Sequence, residues 1–190
     1  EGVVYLGAEN GVLVALDART GDEKWRFAKE GSNISFSPAI SDGSVFVPVS
    51  DGVLYVLDAA TGEQQWRYDP NTATTQYHPT ADVVVAEGVA YFMTSSNTAV
   101  NGVLHAVEIA LQSPKWFHET PTENFSAPSV KDELLYFGGV NGMLYAVAAN
   151  TGGLAWSHQA EDIIFTSPAL SLIHISEPTR RTPISYAVFC

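Results

Sequence analysis

Four tryptophans, Trp25, Trp66, Trp116 and Trp156, recur at intervals of roughly 40–50 residues, the range in which self-similarity marks a repeat architecture. Other columns keep step with them. An Asn-Gly or Asp-Gly pair occurs at Asn10-Gly11, Asp51-Gly52, Asn101-Gly102 and Asn141-Gly142, and the interval from each glycine to its tryptophan is the same in every copy. A residue-proline pair recurs at Ser37-Pro38, His78-Pro79, Ala127-Pro128 and Ser167-Pro168, at a near-constant interval after the preceding tryptophan. The chain must therefore build its core from copies of one small unit.

The second copy shows what that unit is. Its short β-branched or aromatic runs, 36–40, 44–50, 53–57 and 64–68, are separated by turn residues and predict a four-stranded antiparallel meander. Asp51-Gly52 is expected to form a two-residue type I′ hairpin, in which both central residues need positive φ. Thr20-Gly21, Thr61-Gly62 and Thr151-Gly152 mark the next turn. There Gly21, Gly62 and Gly152 supply permissive backbone, and Asp17 or Asp58 hydrogen-bonds its own turn. One such meander cannot bury both faces, but copies arrayed around an axis bury them against each other. The expected fold is all-β: a β-propeller fragment of about four four-stranded antiparallel blades, the first lacking its leading strand, from a seven- or eight-bladed parent. The tryptophans should fill the wedges between blades, each removing about 150–250 Å² from water, about 4–6 kcal/mol. An arc with two uncovered faces is expected to be poorly soluble alone.

These residues resemble the pyrroloquinoline-quinone-like (PQQ-like) propeller repeat. The pattern Gly-x-Leu-Tyr-Ala-Leu-Asp-Ala-x-Thr-Gly-x-x-x-Trp is met from Gly52 through Asp58, Thr61 and Gly62 to Trp66, and again from Gly11 to Trp25. The resemblance covers residues 1–169. It implies the propeller fold but no single activity, because the repeat builds quinoprotein dehydrogenases, BamB-type outer-membrane assembly lipoproteins and sensor domains. The third copy departs, with Glu108 for the turn Asp, Leu111-Gln-Ser-Pro114 for Thr-Gly and nine inserted residues; the fourth has Ala148 for Asp.

The repeat register fails at Leu170. Residues 170–190 resemble an in-frame translation of a sequencing-library adaptor and are read as a non-native tail, to be tested against the codons themselves. Setting them aside removes Cys190, the one cysteine, together with Glu177, Arg180 and Arg181, which leaves 20 acidic and 7 basic residues and a net −13 instead of −12. Nucleic acid is thereby disfavoured as a partner. No run of apolar residues is long enough for a membrane span, so none is expected in 1–190, and the N-terminal Glu1 reads as a start within a longer protein.

Sequences for a catalytic serine elbow, a phosphate loop, a dinucleotide loop or a zinc helix do not occur. His118 and His158 stand just past a tryptophan, where Phe27 and Tyr68 stand in the other copies, and His105 replaces Tyr55 and Tyr145, so all three read as aromatic slots. His78 differs. With Gln76 and Tyr77 it precedes the proline on the strand that opens a blade, where a Gln-Tyr-His cluster could meet a ligand or partner loop. Asp17, Asp58 and Glu108 form a column of turn caps rather than of calcium ligands. The inserted segment 95–100 lengthens one hairpin, and Asn33 and Asn124 fit the N-glycosylation pattern.

The reading that follows is a non-catalytic scaffold that binds a protein or small-molecule ligand, with no cofactor and no metal. Family resemblance implies an exported, periplasmic or cell-surface location. The alternatives are a fragment of a PQQ-dependent alcohol or sugar dehydrogenase, for which PQQ and calcium would be the cofactors, and the extracytoplasmic sensor of a kinase.

Overall fold

The computed structural model describes residues 2–98 and 101–170. Among these residues sixteen strands form four antiparallel sheets, three of them meanders in chain order and one branched. The first blade has three strands, β1 (Val3–Gly7), β2 (Val12–Asp17) and β3 (Glu23–Ala28). The second has four, β4 (Ala39–Ser41), β5 (Ser44–Pro48), β6 (Leu54–Asp58) and β7 (Gln64–Tyr68). The third comprises β8 (Tyr77–Pro79), β9 (Val84–Ala86), β10 (Val89–Ser96), β11 (Gly102–Glu108) and β12 (Ser113–Thr120). The fourth has β13 (Ser129–Lys131), β14 (Leu134–Gly138), β15 (Met143–Ala148) and β16 (Leu154–Gln159).

The third blade corrects the expectation of four strands, since both β8 and β9 pair with β10. The insertion explains this. It lengthens β10 to eight residues, so Ser95 and Ser96 reach beyond the usual hairpin and pair with His78 and Tyr77, while Val89 pairs with Ala86. Ala99 and Val100 of that insertion lie outside the described residues, as do 171–190 of the expected tail.

The turn chemistry is also corrected. Gly11, Gly52 and Gly142 have φ of 75, 85 and 75°, but the residues before them do not have positive φ. The Gly52 amide donates to the Val49 carbonyl, and the Val49 amide to the Val53 carbonyl. That is a type I turn closed by a glycine bulge, not a type I′ pair. Paired positive φ values occur one hairpin earlier, at Asp42-Gly43 (47 and 75°), Glu87-Gly88 (50 and 75°) and Asp132-Glu133 (50 and 62°).

In every blade a β-bulge breaks the pairing of the last two strands just after the residue opposite the tryptophan, at Ala15, Val56, Ala106 and Ala146. A bulge re-aims the strand locally, and the indoles of Trp25, Trp66 and Trp116 turn toward the following blade. Between the first and second blades lies a core of Leu13, Trp25, Val47 and Tyr55. Phe46, Val56, Phe92 and Val107 fill the second junction, and Met93, Leu104, Phe137 and Tyr145 the third. Among the described residues Leu6 is 51% exposed on the outer face of the first blade, and Trp156 43% and Phe165 60% at the opposite end.

Candidate functional site: an aromatic cleft between the second and third blades

The first and third blade junctions repeat one set of contacts. Trp25 Nε1 donates to the Ala59 carbonyl at 3.0 Å, and Trp116 Nε1 to the Ala149 carbonyl at 3.0 Å. The receiving corners are built by the turn residues: Asp58 Oδ1 accepts from the Ala60 and Thr61 amides at 2.9 Å, and Asp17 Oδ1 from those of Arg19 and Thr20 at 3.0 and 3.2 Å. Both carboxyls are held below the ordinary range, chiefly by these backbone hydrogen bonds. In the fourth blade Ala148 makes the corner with backbone alone, its carbonyl accepting from Gly152 at 2.7 Å. At the third blade the corner lacks glycine and closes with Gln112 at φ 51°. Trp66 there packs edge-on against Phe46, ring centres 6.2 Å apart.

Just past each of the first three tryptophans, a second ring reaches the next blade. Phe27 meets Tyr55 (5.6 Å), Tyr68 meets His105 (5.8 Å) and His118 meets Phe137 (6.3 Å), so His105 and His118 occupy aromatic slots as expected. His118 Nδ1 also lies 2.7 Å from the Gly152 carbonyl. His158 is exposed on β16.

At the second junction this layer opens into a cleft of about 180 Å³, lined by Tyr68, Pro70, Tyr77, Val103, His105, Phe117 and Glu119. Asn71 shapes its inner wall. Its Oδ1 accepts from the Tyr77 amide at 2.8 Å and its Nδ2 donates to the Asp51 carbonyl at 2.8 Å, while Gly52 leaves room for the Tyr77 carbonyl that a Cβ would strike. The Tyr77 ring stands edge-on to His105 at 5.7 Å. His105 is stacked on Phe92 at 4.8 Å, with Nε2 2.9 Å from Thr94 Oγ1 and Nδ1 3.5 Å from the Tyr68 hydroxyl. Burial lowers its pKa to about 3, which keeps the imidazole neutral, and burial likewise raises that of Tyr68. Phe117 is 64% exposed on the outer strand.

Strand alternation separates the three residues singled out in the sequence. Tyr77 turns into the cleft. His78 is exposed, with Nδ1 3.0 Å from the Ser50 carbonyl. Gln76 joins the Asn97 side of the long hairpin, its amide donating to Asn97 Oδ1 at 3.0 Å. Sequence reasoning does not single out Pro70, Phe117 or Glu119. The signal for them is a difference between copies: Pro70 stands where the first copy has Lys29, and Phe117 where the second has Arg67.

One modification site is corrected. Asn124 is fully buried, with Nδ2 donating to the Thr122 carbonyl at 3.3 Å, and cannot carry a glycan; Asn33 is exposed. Among the described residues no group of three His, Cys, Asp or Glu could hold a metal ion, and Cys190 lies outside them. No described helix is long and apolar enough to cross a membrane.

Four side-by-side antiparallel sheets, with Trp25 and Trp116 docked on the glycine corners of the blades that follow them, define part of a β-propeller of PQQ-like repeats, and solved structures agree on the fold. The chain is similar to a europium-containing methanol dehydrogenase (16% identity, TM-score 0.70, 84% of this chain and 40% of that one). It is similar also to quinohemoprotein alcohol dehydrogenase ADHIIG from Pseudomonas putida HK5 (21%, 0.73, 84% and 33%) and to the computationally designed Ika8 protein (17%, 0.73, 90% and 50%). The chain thus spans a third to a half of the length of these structures. Residues 1–110 match the family described as outer membrane protein assembly factor BamB, and the chain belongs to that family. No curated protein matches it.

Proposed function

We propose that this chain is part of a non-catalytic, extracytoplasmic propeller that binds a protein partner through the cleft between its second and third blades. The observation that carries this reading is Phe117, a large ring left 64% exposed on the wall of an aromatic cleft. Exposed aromatics beside a concave apolar surface are characteristic anchors of protein interfaces. The repeat carboxylates give the reading further support. Asp17 and Asp58 each hold Oδ1 on two backbone amides of their own turn and have lowered pKa values, which suits a turn and not a general base.

The test is a photo-crosslinking residue placed at Phe117, and for comparison at exposed Glu63 on the second blade's corner, in cells that make the chain. A discrete crosslinked product at position 117 and none at 63 is expected. Saturable, calcium-dependent binding of pyrroloquinoline quinone with dye-linked alcohol oxidation would overturn the reading in favour of a dehydrogenase fragment.

A further inference from the structure

The equivalent slot between the first and second blades is already filled, and by a cation. Lys29 Nζ sits 5.7 Å from the centre of the Tyr55 ring and 3.7 Å from Asp51 Oδ2, and the Tyr55 hydroxyl donates to the same carboxylate oxygen at 2.9 Å. Hydrogen bonding to Tyr55 is the main cause that raises the Lys29 pKa, Asp51 adds to it, and Arg67 works against it. This slot is an aromatic wall plus a carboxylate closed on an ammonium, a recognised arrangement for cations.

Five columns differ at the next junction. Lys29 is replaced by Pro70, which carries no charge and cannot reach across; Arg67 is replaced by Phe117; Asp69 is replaced by Glu119; and the two groups that hold Lys29, Tyr55 and Asp51, are replaced by His105 and Asn101. Two cations are lost and the Phe117 ring is gained, while the acid that holds Lys29 gives way to an amide, so the carboxylate of this cleft is Glu119. Tyr68, Tyr77, Phe117 and Glu119 line an open cleft that no described side chain crosses as Lys29 crosses the first, and His105, neutral through burial, adds no opposing charge. The chain as a whole carries −12, which favours a cationic visitor.

We propose that this cleft takes the side-chain cation of a lysine or arginine presented by the partner, against the rings of Tyr68, Tyr77 and Phe117 and beside the Glu119 carboxylate. The proposal rests on the protein-binding reading above and gives the chemistry of the partner residue.

The experiment is a nuclear magnetic resonance titration of the whole chain with acetyl-Gly-Lys-Gly-amide, its arginine counterpart and its norleucine counterpart, following the ring signals of Tyr68, Tyr77 and Phe117. The two cationic peptides should give saturable shifts, with the norleucine peptide weaker by about tenfold or more. Glu119→Gln, at an exposed position, should weaken the cationic peptides by about fivefold. Pro70→Lys should abolish their binding by filling the cleft from within. Equal binding of norleucine and lysine peptides, or cation binding indifferent to both variants, overturns the proposal. A crosslink at Phe117 combined with no cation binding would leave the protein-binding reading standing and remove this one alone.

Discussion

Trp25 lies so close over Gly62 that a methyl group at residue 62 would stand 2.5 Å from the indole Cε3, and Trp116 bears on Gly152 with the same 2.5 Å. Gly21 occupies the same corner of the first blade with nothing within 4 Å of its Cβ position. All three have positive φ, 77, 70 and 78° for residues 62, 152 and 21. The corners therefore separate two demands on glycine. Gly21→Ala should lose only the left-handed backbone preference, about 1–2 kcal/mol, whereas Gly62→Ala and Gly152→Ala must also displace an indole, adding about 1–3 kcal/mol. Urea unfolding midpoints at unchanged slope would show this. Equal shifts in all three would mean that the indole contact contributes nothing.

The tryptophans themselves should divide in the same way. Trp25→Ala and Trp116→Ala remove a ring packed against the next blade and bonded to its carbonyl, a loss of about 3–5 kcal/mol. Trp156, 43% exposed, should tolerate alanine at under about 1 kcal/mol. Trp66 lies between these cases, because it is partly buried and its indole donates no hydrogen bond among the described residues. Replacement by phenylalanine exposes that difference: about 1 kcal/mol lost at Trp25 and Trp116, little at Trp66. Denaturant titration of the seven variants, alanine at all four positions and phenylalanine at Trp25, Trp66 and Trp116, measures it.

His105 should make the second junction acid-sensitive. Its folded pKa, about 3, lies below the ordinary 6.5 because the ring is desolvated between Phe92, Tyr68 and Tyr77. Between those values the unfolded chain takes up a proton that the folded chain refuses, so stability is fully present above about pH 6.5 and is lost as pH falls toward 3. Asp17 and Asp58, whose pKa values are lowered from 3.8, act only at the bottom of that range. His105→Tyr, the residue that stands at Tyr55 and Tyr145, should flatten the dependence between about pH 7 and 5. A tyrosine variant that loses stability on acidification as steeply as the parent would place the sensitivity elsewhere.

The parts of the fold visible in the sequence are those where one physical demand recurs. Trp25 and Trp116 both need a ring at the wedge, and Gly62 and Gly152 both need room beneath it, so the columns stand out at constant spacing. Turn type is not visible in the same way, since an Asp-Gly pair fits either a type I′ turn or a type I turn with a glycine bulge, and only strand register separates them. The extra strand β8 follows from the length of β10, which a spacing between tryptophans does not reveal. The cleft is the least legible. In the sequence Tyr77 is visible only as a neighbour of His78, the unusual residue before a proline, and Phe117 and Glu119 come from β12, at the far edge of the same blade, and matter through what they replace. Periodicity brings out what the copies share, while this site is made from what they do not.

Glu133 is the clearest place where that departure from the pattern loses stability. The matching hairpins place Gly43 and Gly88 at the second turn position, φ 75° in both, where the fourth blade forces Glu133 to φ 62° directly after Asp132 at 50°. A side chain in that region costs about 1–2 kcal/mol, and glycine returns part of it through the greater freedom it gives the unfolded chain. Glu133 is exposed, and the backbone bond from the Ala149 amide to its carbonyl, at 2.8 Å, survives substitution. Glu133→Gly should therefore stabilise the chain by about 0.5–1 kcal/mol. The reverse change, Gly43→Glu, should destabilise it by a similar amount, since nothing lies within 4 Å of the Gly43 Cβ position. Opposite signs in the two unfolding midpoints are expected; a loss of stability in Glu133→Gly would mean that the glutamate side chain, and not the backbone, decides the turn.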